Sequence, residues 1–76
     1  MQFSSSAAGI TIRKLREQKG MTQELLSGFA GIARSHLAMI ERGNKQPNFE
    51  TIWKIAVALN MRPSDLVAEI ESESSK

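Results

Sequence analysis

The stretch from Gly31 to Arg42 carries side chains that could contact the edges of DNA bases. In a helix, Leu37 and Ile40 lie on one face with Ala33 one turn earlier, and together they form an inward apolar stripe. Four side chains then point outward: Arg34, Ser35, Ala38 and Met39, of which Met39 could instead be a core residue. Arginine can bind guanine bidentately, serine can contact most base edges, and a methyl or thioether group can pack on thymine. The stretch therefore predicts a DNA-contacting helix, and the alternative is an amphipathic helix whose arginine is merely solvated.

A second short helix precedes this one. Gly20 is typical of a helix end, Thr22 of an N-cap, and Gly31 of the turn that leads into the next helix. Two short helices joined by a tight turn with a glycine form a helix-turn-helix. After Arg42, the polar loop contains a second base, Lys45.

Composition limits the classes of function. The 76 residues allow one domain with a modest core and little room for a substrate cleft. We find no nucleophile–base pair, metal cluster or phosphate loop, so we expect no enzyme, cofactor or metal. Residues 1–62 hold nine Lys/Arg against four Asp/Glu, and residues 63–76 hold one against four, which predicts a basic body that suits a polyanion and an acidic end.

The sequence contains no cysteine, and it shows neither a membrane-span pattern nor a signal-peptide pattern. Without cysteine there is no disulfide framework or thiolate metal site. No segment approaches the roughly 20 apolar residues of a membrane span, and the first residues lack the pattern of a signal peptide. We therefore expect a soluble cytoplasmic protein with no membrane partner.

The periodicity predicts an all-α fold of five short helices. The first helix should run from about Ser6 to Lys19, with Ile12, Leu15 and the Lys19 stem inward. The second helix should cover about 23–30, and the third is the DNA-contacting stretch. The fourth helix should follow an Asn48 cap and end near Asn60, and the fifth should begin at Pro63. We expect a flexible tail over residues 1–5, one domain over 6–70, and a disordered acidic and serine-rich tail over 71–76.

Five segments resemble the Cro and phage-repressor type of helix-turn-helix, also called the XRE family, over about residues 9–70. The matching segments are Gly9–Gly20, Thr22–Leu26, Gly31–Gly43, Pro47–Ile52 and Ile55–Leu59. The resemblance implies a compact five-helix, lambda-repressor-like domain whose motif is formed by the second and third helices. It also implies a homodimer that binds double-stranded DNA, with the third helix in the major groove.

The resemblance assigns roles to individual residues. It implies that Gln23 meets a phosphate and braces the third helix, and that Arg16 forms a structural ion pair with Glu41. The run Arg34 to His36 matches positions that contact DNA in small restriction–modification controller proteins, although an exposed histidine is more often without function. The predicted DNA-binding residues are Gln23, Arg34, Ser35, His36, Met39, Arg42 and Lys45.

Several residues depart from the family pattern. Ala33 and Arg62 stand where a capping side chain is common, which costs about 1 kcal/mol at a helix start. Leu25 and Phe29 lie four apart on the second helix at positions that are usually charged. Either the core reaches further round that helix, which we favour, or the pair forms an apolar patch for a protein partner. Trp53 is either a core residue or a dimer contact.

The predicted function is a sequence-specific transcriptional regulator that acts as a homodimer on a palindromic operator. A restriction–modification controller and a phage-type repressor both fit. The alternatives are an antitoxin whose toxin partner binds Leu25 and Phe29 or the acidic tail, and an interaction module that has lost DNA binding. Outward polar and basic residues argue against the last of these. The dimer contact is predicted at Trp53, Met61, Pro63, Val67 and Ile70.

Overall fold

The computed structural model describes Ser4 and residues 6–76, which form five α-helices and no strand. The helices are α1 (Ala7–Gln18), α2 (Gln23–Ala30), α3 (Arg34–Glu41), α4 (Phe49–Ala58) and α5 (Pro63–Ser74). The predicted all-α, five-helix fold is confirmed. Apart from Ser4, the predicted tail over residues 1–5 lies outside the described residues.

Side chains and turns define the starts of α2 and α4 and the end of α2 as the sequence predicts. The hydroxyl of Thr22 accepts a hydrogen bond from the Leu25 backbone N–H at 3.0 Å, and Asn48 caps α4 in the same way. Gly31 ends α2 in the left-handed region, with φ of 71°, where a side chain would be strained. Ala33 and Arg62 make no side-chain cap, so α3 and α5 begin without that stabilisation.

All five helices contribute large side chains to one core. The most deeply buried are Ile12, Leu26, Leu37, Ile40, Ile55, Leu59 and Leu66. Within this core, α1 packs on α3 and α5, α2 packs on α3 and α4, and α4 packs on α5. Because Leu37 and Ile40 anchor one face of α3 in the core, the opposite face of α3 is presented to solvent. None of these five helices is long and apolar enough to cross a membrane.

A close backbone approach sets the distance between α1 and α3. Gly9 of α1 is buried, and a Cβ there would collide with the carbonyl oxygen of Ile40 in the last turn of α3. Only glycine lets the two backbones come this close. The C-terminal end of α3 is therefore positioned by the first turn of α1.

A buried ion pair ties the same two helices together. The Glu41 side chain is only 3% exposed and accepts two hydrogen bonds from Arg16, at 2.8 and 3.0 Å. Gln23 of α2 donates a third at 3.1 Å, and Arg16 also donates to the Met21 carbonyl oxygen. The hydrogen bonds with Glu41 raise the pKa of Arg16 above its usual value. One carboxylate thus joins α1, α2 and α3.

Two predictions about the ends of helices are wrong. The tail over 71–76 is not disordered, since α5 runs to Ser74. Glu73 accepts a hydrogen bond from Lys14 of α1 at 2.9 Å, which lowers the pKa of Glu73 and raises that of Lys14. This contact between residues 59 positions apart holds the last turn against α1. Lys19, predicted to lay its stem on the core, is exposed, because it lies past the end of α1.

We predict that Gly9→Ala destabilises the protein while Gly28→Ala does not. The first methyl group collides with the backbone of α3, and overpacking of this kind costs about 1–3 kcal/mol. The methyl group of Gly28→Ala meets no atom within 4 Å. This substitution should raise the free energy of unfolding by about 0.5–1 kcal/mol, since alanine favours a helix over glycine. Urea unfolding of both variants checks this, and a Gly9→Ala protein as stable as the wild type would contradict the close approach.

We predict that Glu41→Gln lowers the free energy of unfolding by about 3–5 kcal/mol, because it leaves the Arg16 charge buried without its partner. Adding Arg16→Met should recover part of the loss. The matched control is Glu17→Gln, which breaks the exposed pair with Arg13 and should cost less than about 1 kcal/mol. Thermal melting compares the three proteins, and equal melting temperatures for Glu41→Gln and Glu17→Gln would refute a structural role for the buried pair.

Candidate DNA-binding site

The outward face of α3 borders an open groove of about 510 Å³. The groove contains five of the seven residues predicted to bind DNA: Gln23, Arg34, Ser35, Met39 and Arg42. Ala38, predicted to point outward, lines it as well, and Arg16 and Glu41 also border it. The tertiary structure therefore brings residues of α1, α2 and α3 to one surface.

The N-terminal end of α3 presents the two side chains best suited to base edges. Arg34 and Ser35 are both exposed and lie in the first turn of the helix. Met39 follows one turn later and is 38% exposed, so its thioether is available for an apolar contact. This face can donate several hydrogen bonds through a guanidinium and a hydroxyl, and it also offers one apolar surface. Side chains of these kinds read base edges in the major groove.

The electrostatics of the groove favour an anion. Arg13, Arg34 and Arg42 line it with exposed guanidinium groups. The carboxylate in the groove wall, Glu41, is already matched by Arg16. Positive charge in a cleft of this kind attracts the phosphate backbone of nucleic acid.

Gln23 stands where α2 begins, directly after its Thr22 cap. Its amide nitrogen donates to Glu41 of α3, so the side chain touches the helix that it was predicted to brace. It also lines the groove. The first turn of α2 is therefore held against the last turn of α3 by a side chain at the edge of the charged surface.

His36 and Lys45 do not line the groove. His36 is half-buried on α3, and Lys45 is exposed in the loop that follows the helix. Their predicted contacts with DNA stay predictions. Among Ser4 and residues 6–76, no group of three or more His, Asp or Glu side chains is placed to hold a metal ion.

Leu25 and Phe29 are exposed on α2, so the favoured prediction of an extended core is wrong. Phe29 is 66% exposed. The inward face of α2 is filled by Leu26 and Ala30, and residues one position earlier point about 100° away from that face. Leu25 and Phe29 instead line a shallow apolar groove.

A second apolar surface runs along α4 and reaches α5. We call it the α4–α5 apolar surface, and its members are Phe49, Trp53, Val57 and Val67, all exposed. The Phe49 and Trp53 rings meet edge to face, 6.1 Å apart, and Phe49 shares a groove of about 230 Å³ with Val67. The surface is thus continuous from α5 onto α4.

This surface changes part of the predicted dimer contact. Trp53 is 53% exposed, so its interpretation as a core residue is wrong. Val67 is also exposed, and Ile70 lines the same groove as Phe49 and Val67 while it packs against the core of its own chain. Met61 packs against that core and Pro63 is half-buried, and the dimer contacts predicted for these residues stay predictions. Sequence reasoning missed Phe49 and Val57. Their spacing of four residues on either side of Trp53 was the signal that could have found them.

The sequence is similar to known regulators. The HTH-type transcriptional regulator SutR of Escherichia coli strain K12 is 34% identical over 62 residues, which cover 82% of this chain but 35% of SutR. The chain thus spans about a third of that relative's length. Control protein C.BamHI of Bacillus amyloliquefaciens is 35% identical over 60 residues, which cover 78% of this chain and 74% of C.BamHI.

The fold is similar to that of a solved controller protein. The restriction-modification controller protein C.Esp1396I, crystallised as a tetramer in complex with its natural 35-base-pair operator, matches with a TM-score of 0.88 and 26% identity, over 100% of both chains. The helix-turn-helix family HTH_3 matches residues 12–66, from the middle of α1 to the start of α5. With two short helices joined at Gly31 and an outward basic face on the second, the chain belongs to the helix-turn-helix family HTH_3.

Proposed function

We propose that this protein is a sequence-specific transcriptional regulator that binds double-stranded DNA as a homodimer on a palindromic operator. The observation that carries the proposal is the groove beside α3, where Arg34, Ser35 and Met39 face outward among further arginines. α3 is the recognition helix and enters the major groove. Because the protein must reach its operator, we expect it to act in the cytoplasm.

The residues of the groove divide between base and phosphate contacts. Arg34 and Ser35, in the first turn of α3, bind base edges, and Met39 packs on a thymine methyl group. The remaining contacts go to phosphates and fix the register on the duplex. They come from Gln23 and Arg42 in the groove and from His36 and Lys45 outside it.

The arrangement of α3 is set before DNA arrives. Glu41 ties the C-terminal end of α3 to Arg16 and Gln23, and Leu37 fixes the middle of the helix in the core. A recognition helix that is already rigid loses little conformational entropy on binding. The hydrogen bonds of Arg34 are therefore available to discriminate between bases.

The relatives support regulation of transcription and assembly on DNA. SutR is named a transcriptional regulator, and C.Esp1396I was crystallised as a tetramer on its operator. The immunity repressor protein of Bacillus phage phi105 is 36% identical over 61 residues, but these cover 42% of it. C.BamHI and C.Esp1396I match over 74% and 100% of their own lengths, which favours a restriction–modification controller over a phage-type repressor. Occupancy of the operator then depends on protein concentration, because dimerisation and DNA binding are coupled.

The α4–α5 apolar surface is the proposed dimer contact. Phe49, Trp53, Val57 and Val67 form a continuous exposed apolar area of the kind that marks protein interfaces. Two copies joined there would present two α3 helices to successive major grooves, about 34 Å apart. Leu25 and Phe29 stay a predicted contact for another protein, such as a toxin.

We predict that Arg34→Ala removes preference for the operator and leaves the fold intact. A bidentate contact to guanine is worth about 1–3 kcal/mol, and the exposed side chain packs against nothing in the core. The operator is first selected from random duplexes with the wild-type protein. Gel shifts then compare each variant on the selected and on an unrelated duplex.

The control for this prediction is Lys54→Ala, which removes an equal charge from the exposed face of α4 outside the groove. It should bind both duplexes much as the wild type does. If Arg34→Ala loses the same factor on both duplexes, Arg34 contacts only phosphate. A wild-type protein that binds neither duplex at low salt would overturn the proposed function itself.

We predict that Val67→Asp yields a folded monomer, because a carboxylate in the α4–α5 apolar surface would be buried without a partner in the dimer. The matched control is Ala68→Asp, which adds the same charge to the neighbouring exposed position of α5. Sedimentation measures the oligomeric state. Binding of Val67→Asp should weaken far more on a palindromic site than on a half-site, and a variant that still sediments as a dimer would exclude this surface.

A further inference from the structure

We propose that Arg13 of α1, outside the helix-turn-helix, binds a DNA backbone phosphate at the rim of the groove, and that Glu17 competes with the phosphate for its guanidinium. This assignment deepens the proposed DNA binding and rests on it. The sequence pattern points to the second and third helices alone, so Arg13 is not among the residues predicted from it.

The geometry of α1 directs Arg13 toward the end of the recognition helix. Gly9 touches the backbone of the last turn of α3, and Arg16 binds the Glu41 side chain in that same turn. Arg13 lies four residues after Gly9 and three before Arg16, so the three share one face of α1. Arg13 is therefore placed on the side of α1 that packs on α3.

Arg13 opens onto the DNA-binding groove. It lines the groove together with Arg34 and Arg42, and its side chain is 63% exposed. Arg34 stands at the start of α3 and Arg42 at its end, so a third guanidinium on α1 widens the basic surface beyond α3. A duplex whose major groove holds α3 would bring a phosphate strand past such a rim.

The structure gives Arg13 no strong internal role. Its one ion pair among the described residues is with Glu17, one turn further along α1, through Nε at 3.3 Å. Both side chains are more than half exposed, and exposed pairs of this spacing contribute little to stability. Of the five N–H donors of the guanidinium, that bond uses one and leaves the terminal nitrogens for an anion.

Glu17 gives the contact a competitor. A phosphate at the rim must overcome the attraction between Arg13 and the Glu17 carboxylate, and it also meets that carboxylate's negative charge. Removing the carboxylate should therefore strengthen DNA binding, whereas removing the guanidinium should weaken it. Opposite effects from two neighbouring exposed residues would not follow from a merely structural role.

The test measures affinity against salt concentration for the full chain, on the duplex selected by the wild type and on an unrelated duplex. Arg13→Ala should lower affinity for both duplexes by the same factor. The magnitude of the slope of log affinity against log salt should fall by about 1.8, because the homodimer loses two phosphate contacts of about 0.9 each. Arg13→Lys should keep most of the slope, and Glu17→Gln should raise affinity for both duplexes.

The control is Lys54→Ala, since Lys54 also pairs with an exposed glutamate four residues away, Glu50, but lies outside the groove. Its slope should stay at the wild-type value. An Arg13→Ala slope equal to that of Lys54→Ala, while the wild type binds, overturns the Arg13 assignment and leaves the proposed function standing. A loss on the selected duplex alone assigns Arg13 to a base and overturns the phosphate contact. If Arg13→Ala melts early, Arg13→Gln, which keeps most of the side chain without the charge, replaces it and should show the same fall in slope.

Discussion

The Glu41 carboxylate is almost fully withdrawn from water, and the arrangement of the first three helices depends on matching its charge. Arg16 supplies two hydrogen bonds and Gln23 a third, so each of α1, α2 and α3 contributes one group. A buried charge without these partners would cost several kcal/mol (about 3–5), which is a large share of the stability of a domain this small. The pair therefore acts as a constraint on geometry. This ion pair fixes the position of the C-terminal end of α3 relative to α1 and α2.

From this constraint follows the division of α3 into two faces. One face is held in the core by Leu37 and Ile40, and the close approach at Gly9 leaves no room for its last turn to shift. The other face is exposed and carries Arg34 and Ser35. Rigidity on one side and free polar groups on the other are the two requirements for direct readout of bases, and here they arise from the same packing.

The exposed apolar residues form two further surfaces, in addition to the polar face of α3. Phe49, Trp53, Val57 and Val67 form one continuous surface, and Leu25 and Phe29 form another on α2. Contiguous exposed apolar residues are typical of protein interfaces, which is why the first surface is the proposed contact with a second copy of the chain. Its polar counterpart is the groove beside α3, so the proposed protein contact and the proposed DNA contact lie on different helices and differ in chemistry.

Local patterns determined the five helices, because caps such as Thr22 and Asn48 and the left-handed turn at Gly31 are properties of neighbouring residues. They also placed Arg34 and Ser35 on an outward face, since helical spacing alone sets which residues share a side. Only the tertiary structure decided that Trp53 and Phe29 are exposed and that α5 continues through Glu73. Burial and long-range pairing depend on which helix occupies the adjacent space, and no spacing within one helix carries that information. The entry of Arg13 into the groove was decided in the same way, by the packing of α1 on α3.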